Sequence, residues 1–208
     1  VALGVEQDKI TTFLLPVQAS NHPIYNPSLD YSVYLSQPFF FVLFQVLILL
    51  ITVYAVGIEI KFRTADEWLF VAKGNMVTAV LGKLLPYTII FILIGWLANY
   101  VMFGILHIPF QGSWLLMNML TALFVVATQA LGLFLFSLFP AISLIISIVS
   151  MVGSLGATLS GVTFPVTNMY PLVRDASYLF PVRHFTEMMQ NMLYGGSGFI
   201  YLWPSVVI

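Results

Sequence analysis

Four uninterrupted apolar stretches leave this chain little choice of fold. They run over residues 38–58, 84–106, 114–139 and 141–164. About 20 mostly apolar residues carry a helix across the hydrocarbon core of a bilayer, and each stretch has that length. A spanning segment finds no water there and must satisfy its own peptide groups, which a helix does alone. The connections are short: residues 107–113 join the second and third stretches, and Pro140 joins the third and fourth. The expected fold is an all-α membrane protein, a polytopic helical bundle with four complete spans. Only 7% of the residues are charged, against about 25% in a soluble domain, so no sizeable soluble domain is expected.

Several chemistries are disfavoured. The chain has no cysteine, which rules out disulfides, thiol catalysis and thiolate metal sites within it. A net charge of -1 offers no basic surface for nucleic acid, and none is expected as a partner. No acidic or basic residue lies near the centre of a span, where proton relays and ion-coupled carriers usually need one. His184 and Glu187 share a helix face three residues apart, but a metal site needs more ligands nearby. Gly82-Lys83 lacks the preceding glycine and strand of a phosphate-binding loop. No cofactor is expected in this chain, and no catalytic constellation is apparent.

The two ends read differently from the middle. Residues 1–37 hold a β-prone stretch at 10–17, then a segment at 21–30 dense in turn formers. They are expected to be an extracytoplasmic segment, the end of an external domain. Residues 165–199 are punctuated by Pro165, Pro171 and Pro181 and carry Arg174, Asp175, Arg183 and Glu187. That stretch is too polar to span and too apolar for a free loop, so short external re-entrant helices are expected. One of them covers 182–194 and ends at Gly195-Gly196. A further apolar run begins at Phe199 and reads as a span cut short.

Lys and Arg in short loops mark the cytoplasmic side. The 59–83 connection carries Lys61, Arg63, Lys73 and Lys83, and the 107–113 loop carries neither residue type. The first connection is therefore expected inside, with Glu59, Lys61, Arg63 and Lys83 at the cytoplasmic mouths of the two flanking spans. Within it, Thr64-Ala65-Asp66-Glu67 has the form of a capping box, Thr as N-cap and Glu three residues on. Asp66 and Glu67 suit the positive first turn and Lys73 the negative last turn; Gly74 suits a left-handed C-terminal cap. Residues 65–73 thus predict a cytoplasmic interfacial helix with Trp68, Leu69 and Val71 to Ala72 on its apolar side. Asn75 is placed to cap the next helix. The segment reads either as a plain interfacial loop with a snorkelling lysine or as a docking helix for a cytoplasmic partner.

Two further patterns stand out. Ser143, Ser147, Ser150, Ser154, Ala157 and Gly161 follow a 4, 3, 4, 3, 4 spacing, which lines small residues along one helix face. Such a stripe serves packing within the chain, or a dimer seam or sliding face. Gln45, Asn99 and Gln129 are polar residues inside spans, expected to hydrogen-bond across helices.

The run from Glu59 through Thr64-Ala65-Asp66-Glu67-Trp68-Leu69 to Gly82-Lys83-Leu84-Leu85-Pro86-Tyr87 resembles the permeases of ABC-2 type exporters. So do Phe164-Pro165, Asn168-Met169, Pro171-Leu172, Leu179-Phe180-Pro181 and Tyr194-Gly195-Gly196, and more loosely Tyr25-Asn26-Pro27. The resemblance implies an ABC-2 transmembrane domain at 38–208, truncated in its final span, with an earlier span and most of an external domain missing. It implies the transmembrane permease subunit of an ATP-driven exporter in the bacterial inner membrane. The 64–69 segment would be its ATPase-coupling helix. Implied partners are an ATP-binding cassette subunit carrying the ATP and Mg, a second permease copy or paralogue, a periplasmic adaptor and membrane lipid. The reading from another class is a structural or assembly membrane protein without transport.

Overall fold

The computed structural model describes residues 31–194 apart from positions 109, 111, 163 and 165. The chain divides into two units, Val1–Asp30 and Tyr31–Ile208. Of the segment expected outside at residues 1–37, residues 31–37 are helical and run straight into the first span; residues 1–30, the Gly195-Gly196 stop and the run after Phe199 lie outside the described residues.

The described residues form α1 (Tyr31–Phe62), α2 (Ala65–Val71) and α3 (Met76–Asn99). A π-helical turn, Tyr100–Ile105, continues α3. Then come α4 (Trp114–Leu138), α5 (Ile142–Leu159), a 3₁₀ turn (Val166–Asn168), α6 (Pro171–Ser177) and α7 (Pro181–Tyr194). Among the described residues four helical stretches are long and apolar enough to cross a membrane: Leu35–Phe62, Met76–Ile105, Trp114–Leu138 and Ile142–Leu159. This is the polytopic all-α fold that the apolar runs predict.

The boundaries depart from the apolar edges for local reasons. Helix α1 continues past residue 58, because Glu and Lys are good helix formers and hydrophobicity does not end a helix. Glu59 and Lys61 are thus helical rather than in a loop. α1 ends in a Schellman motif: Thr64 N–H bonds the Glu59 carbonyl at 3.0 Å and Arg63 N–H the Ile60 carbonyl at 3.3 Å. Arg63 takes the left-handed conformation (φ 59°) usually left to glycine. Helix α5 stops at Leu159, short of residue 164. Gly161, at φ 86°, therefore lies beyond the helix whose face it was expected to extend.

Helix α1 is the axis of the bundle. In its most apolar 18-residue stretch 56% of the residues are buried, against 17% in that of α3, so α1 is the more enclosed of the two. Close packing has to hold these helices together, because lipid is as apolar as leucine. Helix α5 lies against α1 through Gly153 and Gly156. A Cβ on Gly153 would come within 2.7 Å of Val46, and one on Gly156 within 2.6 Å of the Gln45 amide nitrogen. Phe41 of α1, Phe124 of α4 and Phe185 of α7 form one aromatic cluster. Its ring centroids are 4.4 Å apart for Phe41–Phe185 and 4.8 Å for Phe124–Phe185, contacts worth about 0.5–1.5 kcal/mol each beyond the area they bury.

Gln45, Asn99 and Gln129 all bond across helices, as expected. Gln45 Oε1 accepts from the Val182 backbone N–H at 2.9 Å. Asn99 Nδ2 donates to Thr121 Oγ1 at 2.9 Å and to Asn118 Oδ1 at 3.2 Å. Thr88 Oγ1 donates to Gln129 Oε1 at 2.7 Å. The Gln45 bond fixes the start of α7 at a level about 10 Å along α1 from Pro38, at 1.5 Å per residue. From there α7 buries Val182, Phe185, Met189 and Met192 and leaves Glu187 and Asn191 exposed.

Candidate functional site

The charged connection between the first two spans folds into a compact knot. Glu59 ends α1, Thr64 opens α2, Trp68 lies in the middle of α2, and Lys83 is two turns into α3. Lys83 Nζ pairs with Glu59 Oε1, while the Thr64 hydroxyl donates to Glu59 Oε2. The same ammonium lies 5.3 Å from the centroid of the Trp68 ring. The side chains of Lys83 and Glu59 are 18% and 20% exposed, so the pair is partly shielded from water. A partly exposed ion pair is worth about 0.2–1 kcal/mol and the cation–π contact about 0.5–1 kcal/mol. Neither is large, but together they tie α2 to both flanking spans at one point. A cleft of about 420 Å³ lies beside the knot, walled by Glu59, Trp68, Val71, Ala72, Gly82 and Lys83.

The knot corrects one expectation. Thr64 precedes α2, but its side chain makes no cap bond. Its ψ of 5° departs from the extended geometry of a capping residue. The hydroxyl turns back to the Glu59 carboxylate, a charged and therefore stronger acceptor. The other termini follow the expected chemistry. Asn75 Oδ1 accepts from Thr78 N–H at 3.2 Å and caps α3. Helix α2 closes with Gly74 N–H on the Leu69 carbonyl at 2.9 Å and Lys73 N–H on that of Phe70 at 3.0 Å. Gly74 is left-handed as expected (φ 76°), and Lys73 ahead of it is too (φ 53°). These two residues form the C-terminal turn, so α2 itself is shorter than 65–73.

The remaining residues of the segment lie around the knot. Ala65, Trp68 and Leu69 are half-buried, while Asp66, Glu67, Lys61 and Arg63 are exposed. Lys61 Nζ lies 5.8 Å from the Phe62 ring. No residue of α2 is fully buried. Phe70 and Val71, next along α2 from the acidic pair, are 84% and 82% exposed. Over fewer than two helical turns α2 thus shows two carboxylates and two large apolar side chains on its exposed surface. Sequence reasoning passed over Phe70; its position just past the half-buried Trp68-Leu69 pair was the available signal.

On α5, Ser143, Ser147, Ser150 and Ser154 are all exposed and Ala157 is half-buried. The inward face is made instead by Ile145, Val149, Gly153 and Gly156. Three of the serine hydroxyls turn onto their own helix: Ser147 to Ser143 O at 3.3 Å, Ser150 to Ile146 O and Ser154 to Met151 O, both at 2.8 Å. At the other end of the bundle, the α6–α7 elbow is held by a buried arginine. Arg183 Nη1 donates to the Arg174 carbonyl at 2.9 Å, with its guanidinium 4.0 Å from the centroid of the Tyr178 ring. His184 Nε2 lies 2.9 Å from the Tyr178 carbonyl, which leaves it serving the elbow.

Comparison with known proteins gives this arrangement a family. The inner membrane transport permease YhhJ of Escherichia coli K12 is 32% identical over 104 residues, which is 49% of this chain and 27% of that protein. The probable multidrug ABC transporter permease YbhS of the same strain is 26% identical over 139 residues, 65% of this chain and 36% of that protein. The probable multidrug ABC transporter permease YbhR is 23% identical over 182 residues, 88% of this chain and 49% of that protein. The chain thus spans at most about half the length of these relatives. No solved structure matches it. The profile described as "ABC-2 family transporter protein" matches residues 3–208. Four apolar spans, a short helix tied between the first two, and a family match along nearly the whole chain agree: this is an integral multi-pass membrane protein of the ABC-2 transporter family.

Proposed function

We propose that the chain is part of the permease subunit of an ATP-driven exporter in the bacterial inner membrane, with α2 as the contact for a separate ATPase subunit. The knot carries this reading: Glu59, Lys83 and Trp68 join α2 to the ends of α1 and α3. Force applied to α2 therefore reaches two spans directly. The exposed Asp66, Glu67, Phe70 and Val71 supply the gripping surface. Lys61, Arg63, Lys73 and Lys83, at and between the facing ends of α1 and α3, support a cytoplasmic position for α2, the side where ATP is found. ATP and Mg belong to the partner in this reading, and a second permease copy or paralogue completes the path. The relatives named as multidrug permeases make drug-like amphiphiles the first cargo to assay.

The test reverses both carboxylates, Asp66→Lys with Glu67→Lys, in the whole permease purified with its ATPase. Expected are normal membrane insertion, ATP hydrolysis that no longer responds to the permease, and loss of export from proteoliposomes. Undiminished transport would show that α2 is not the coupling contact.

A further inference from the structure

The cleft beside the knot lies on a side of α2 that the proposed ATPase contact leaves largely uncovered. At 3.6 residues per turn, Trp68, Val71 and Ala72 fall on one side of α2, and Asp66, Glu67 and Phe70 on another. The cleft of about 420 Å³ lies against the first of these sides, with Gly82 and Lys83 of α3 across from it. A Cβ on Gly82 would meet nothing within 4 Å, so the space in front of this glycine is open. Lys83 and Glu59 both line the cleft and both remain partly exposed.

The ion pair leaves hydrogen-bonding capacity on both partners. A lysine ammonium has three donors, and among the described residues the Nζ of Lys83 has Glu59 as its one hydrogen-bond partner. An ionised carboxylate has about four acceptor sites, and that of Glu59 takes Lys83 and the Thr64 hydroxyl. Donors and acceptors therefore remain side by side on a pair whose charges cancel. A ligand with a single charge would leave that charge uncompensated in a partly shielded cleft; a zwitterion would not. A phosphate oxygen suits the remaining Lys83 donors, and a primary ammonium suits the remaining Glu59 acceptors. A quaternary ammonium has no N–H to offer them. The α3 surface fixes the rest of the molecule. Leu85, Ile89, Ile90 and Leu93 follow Gly82 on its own side of the helix and are each half or more exposed. An apolar stripe thus leads from the cleft into the membrane, with Lys83 and Trp68 at the interfacial level at its foot. A phospholipid carries a zwitterionic head and apolar chains in that order.

We infer that the cleft holds the head group of a phospholipid of the phosphatidylethanolamine type, its phosphate on Lys83 and its ammonium on Glu59, while its chains lie along the α3 stripe. The site stands apart from the export reading. It needs neither ATP nor the ATPase, and a lipid on this side of α2 leaves Asp66, Glu67 and Phe70 to a partner.

The whole permease is placed in nanodiscs of equal parts palmitoyl-oleoyl phosphatidylethanolamine, phosphatidylcholine and phosphatidylglycerol. The lipids that stay bound after release are counted by native mass spectrometry. Expected is one retained phosphatidylethanolamine, favoured about fivefold over phosphatidylcholine, the worth of one hydrogen bond. Lys83→Met should remove the preference. Gly82→Leu, which fills the cleft and leaves the ion pair in place, should remove it too, with an unchanged unfolding temperature showing that this variant is folded. Millimolar glycerophosphoethanolamine, the head group without chains, should leave the bound lipid in place. Equal retention of the ethanolamine and choline lipids would overturn the proposal. So would a preference for phosphatidylglycerol, which would mark a site for negative charge alone, a preference that survives Gly82→Leu, or displacement by the chainless head group.

Discussion

Glu59 and Lys83, 24 positions apart in the chain, meet as an ion pair in which the Glu59 carboxylate also holds the Thr64 hydroxyl on its second oxygen. Three elements therefore converge on one carboxylate. Glu59→Gln and Lys83→Met should each lower stability by about 1 kcal/mol, and the double variant should cost clearly less than the sum. Lys83→Met should cost the more of the two, because it also removes the contact with Trp68. Unfolding titrations of the four proteins in mixed micelles read the coupling directly; strictly additive losses would mean that the pair contributes nothing.

Two glycines of the spans should behave in opposite ways. A Cβ on Gly156 would crowd the Gln45 amide at 2.6 Å and the Phe180 ring at 3.3 Å, whereas a Cβ on Gly82 meets nothing within 4 Å. Gly156→Val should cost about 1–3 kcal/mol by forcing α5 off α1. Gly82→Ala should leave stability unchanged or raise it by about 0.5–1 kcal/mol through helix propensity. Thermal unfolding of the two variants side by side checks the close approach of α1 and α5.

At the α6–α7 elbow the face of the Tyr178 ring, rather than its hydroxyl, meets Arg183. Tyr178→Phe should therefore be close to neutral, and Tyr178→Leu should cost about 0.5–2 kcal/mol. Hydrogen exchange of the α7 amides should rise in the leucine variant alone.

The serine face of α5 gives a test of the second copy. Ser150 is exposed and bonded to its own helix, so Ser150→Leu should change the stability of the single chain by no more than about 0.5 kcal/mol. If the face is the seam between two permeases, the dimer fraction in nanodiscs should fall sharply. An unchanged dimer fraction would leave the face to lipid.

The sequence revealed what periodicity and length encode. The four spans, the short helix after Thr64 and the Asn75 cap rest on local chemistry, and each was legible. What stayed hidden depends on which helices become neighbours. Glu59 and Lys83 were both recognisable as charges at the mouths of spans, but their pairing exists only once α1 and α3 lie side by side. The role of Thr64 changed for the same reason: a carboxylate brought close by the turn competes for its hydroxyl. On α5, two sets of small residues share one helix. The serines drew attention through their regular spacing, while Gly153 and Gly156 make the contact, because only a residue without a side chain lets Val46 and Gln45 approach. The switch from α to π winding at Tyr100 had no counterpart in the residue pattern.

Helix α1 is a single helix from Tyr31 to Phe62. Gln45, which holds the start of α7, and Glu59, which holds α2, therefore belong to one stiff member. They are about 21 Å apart at 1.5 Å per residue, and Pro38 lies outside the stretch between them. No proline interrupts the helix between them, so the two holds are joined by continuous helical hydrogen bonding. The second half of α1 thus carries a polar hold near its start and another at its end, one on the α7 side of the bundle and one on α2.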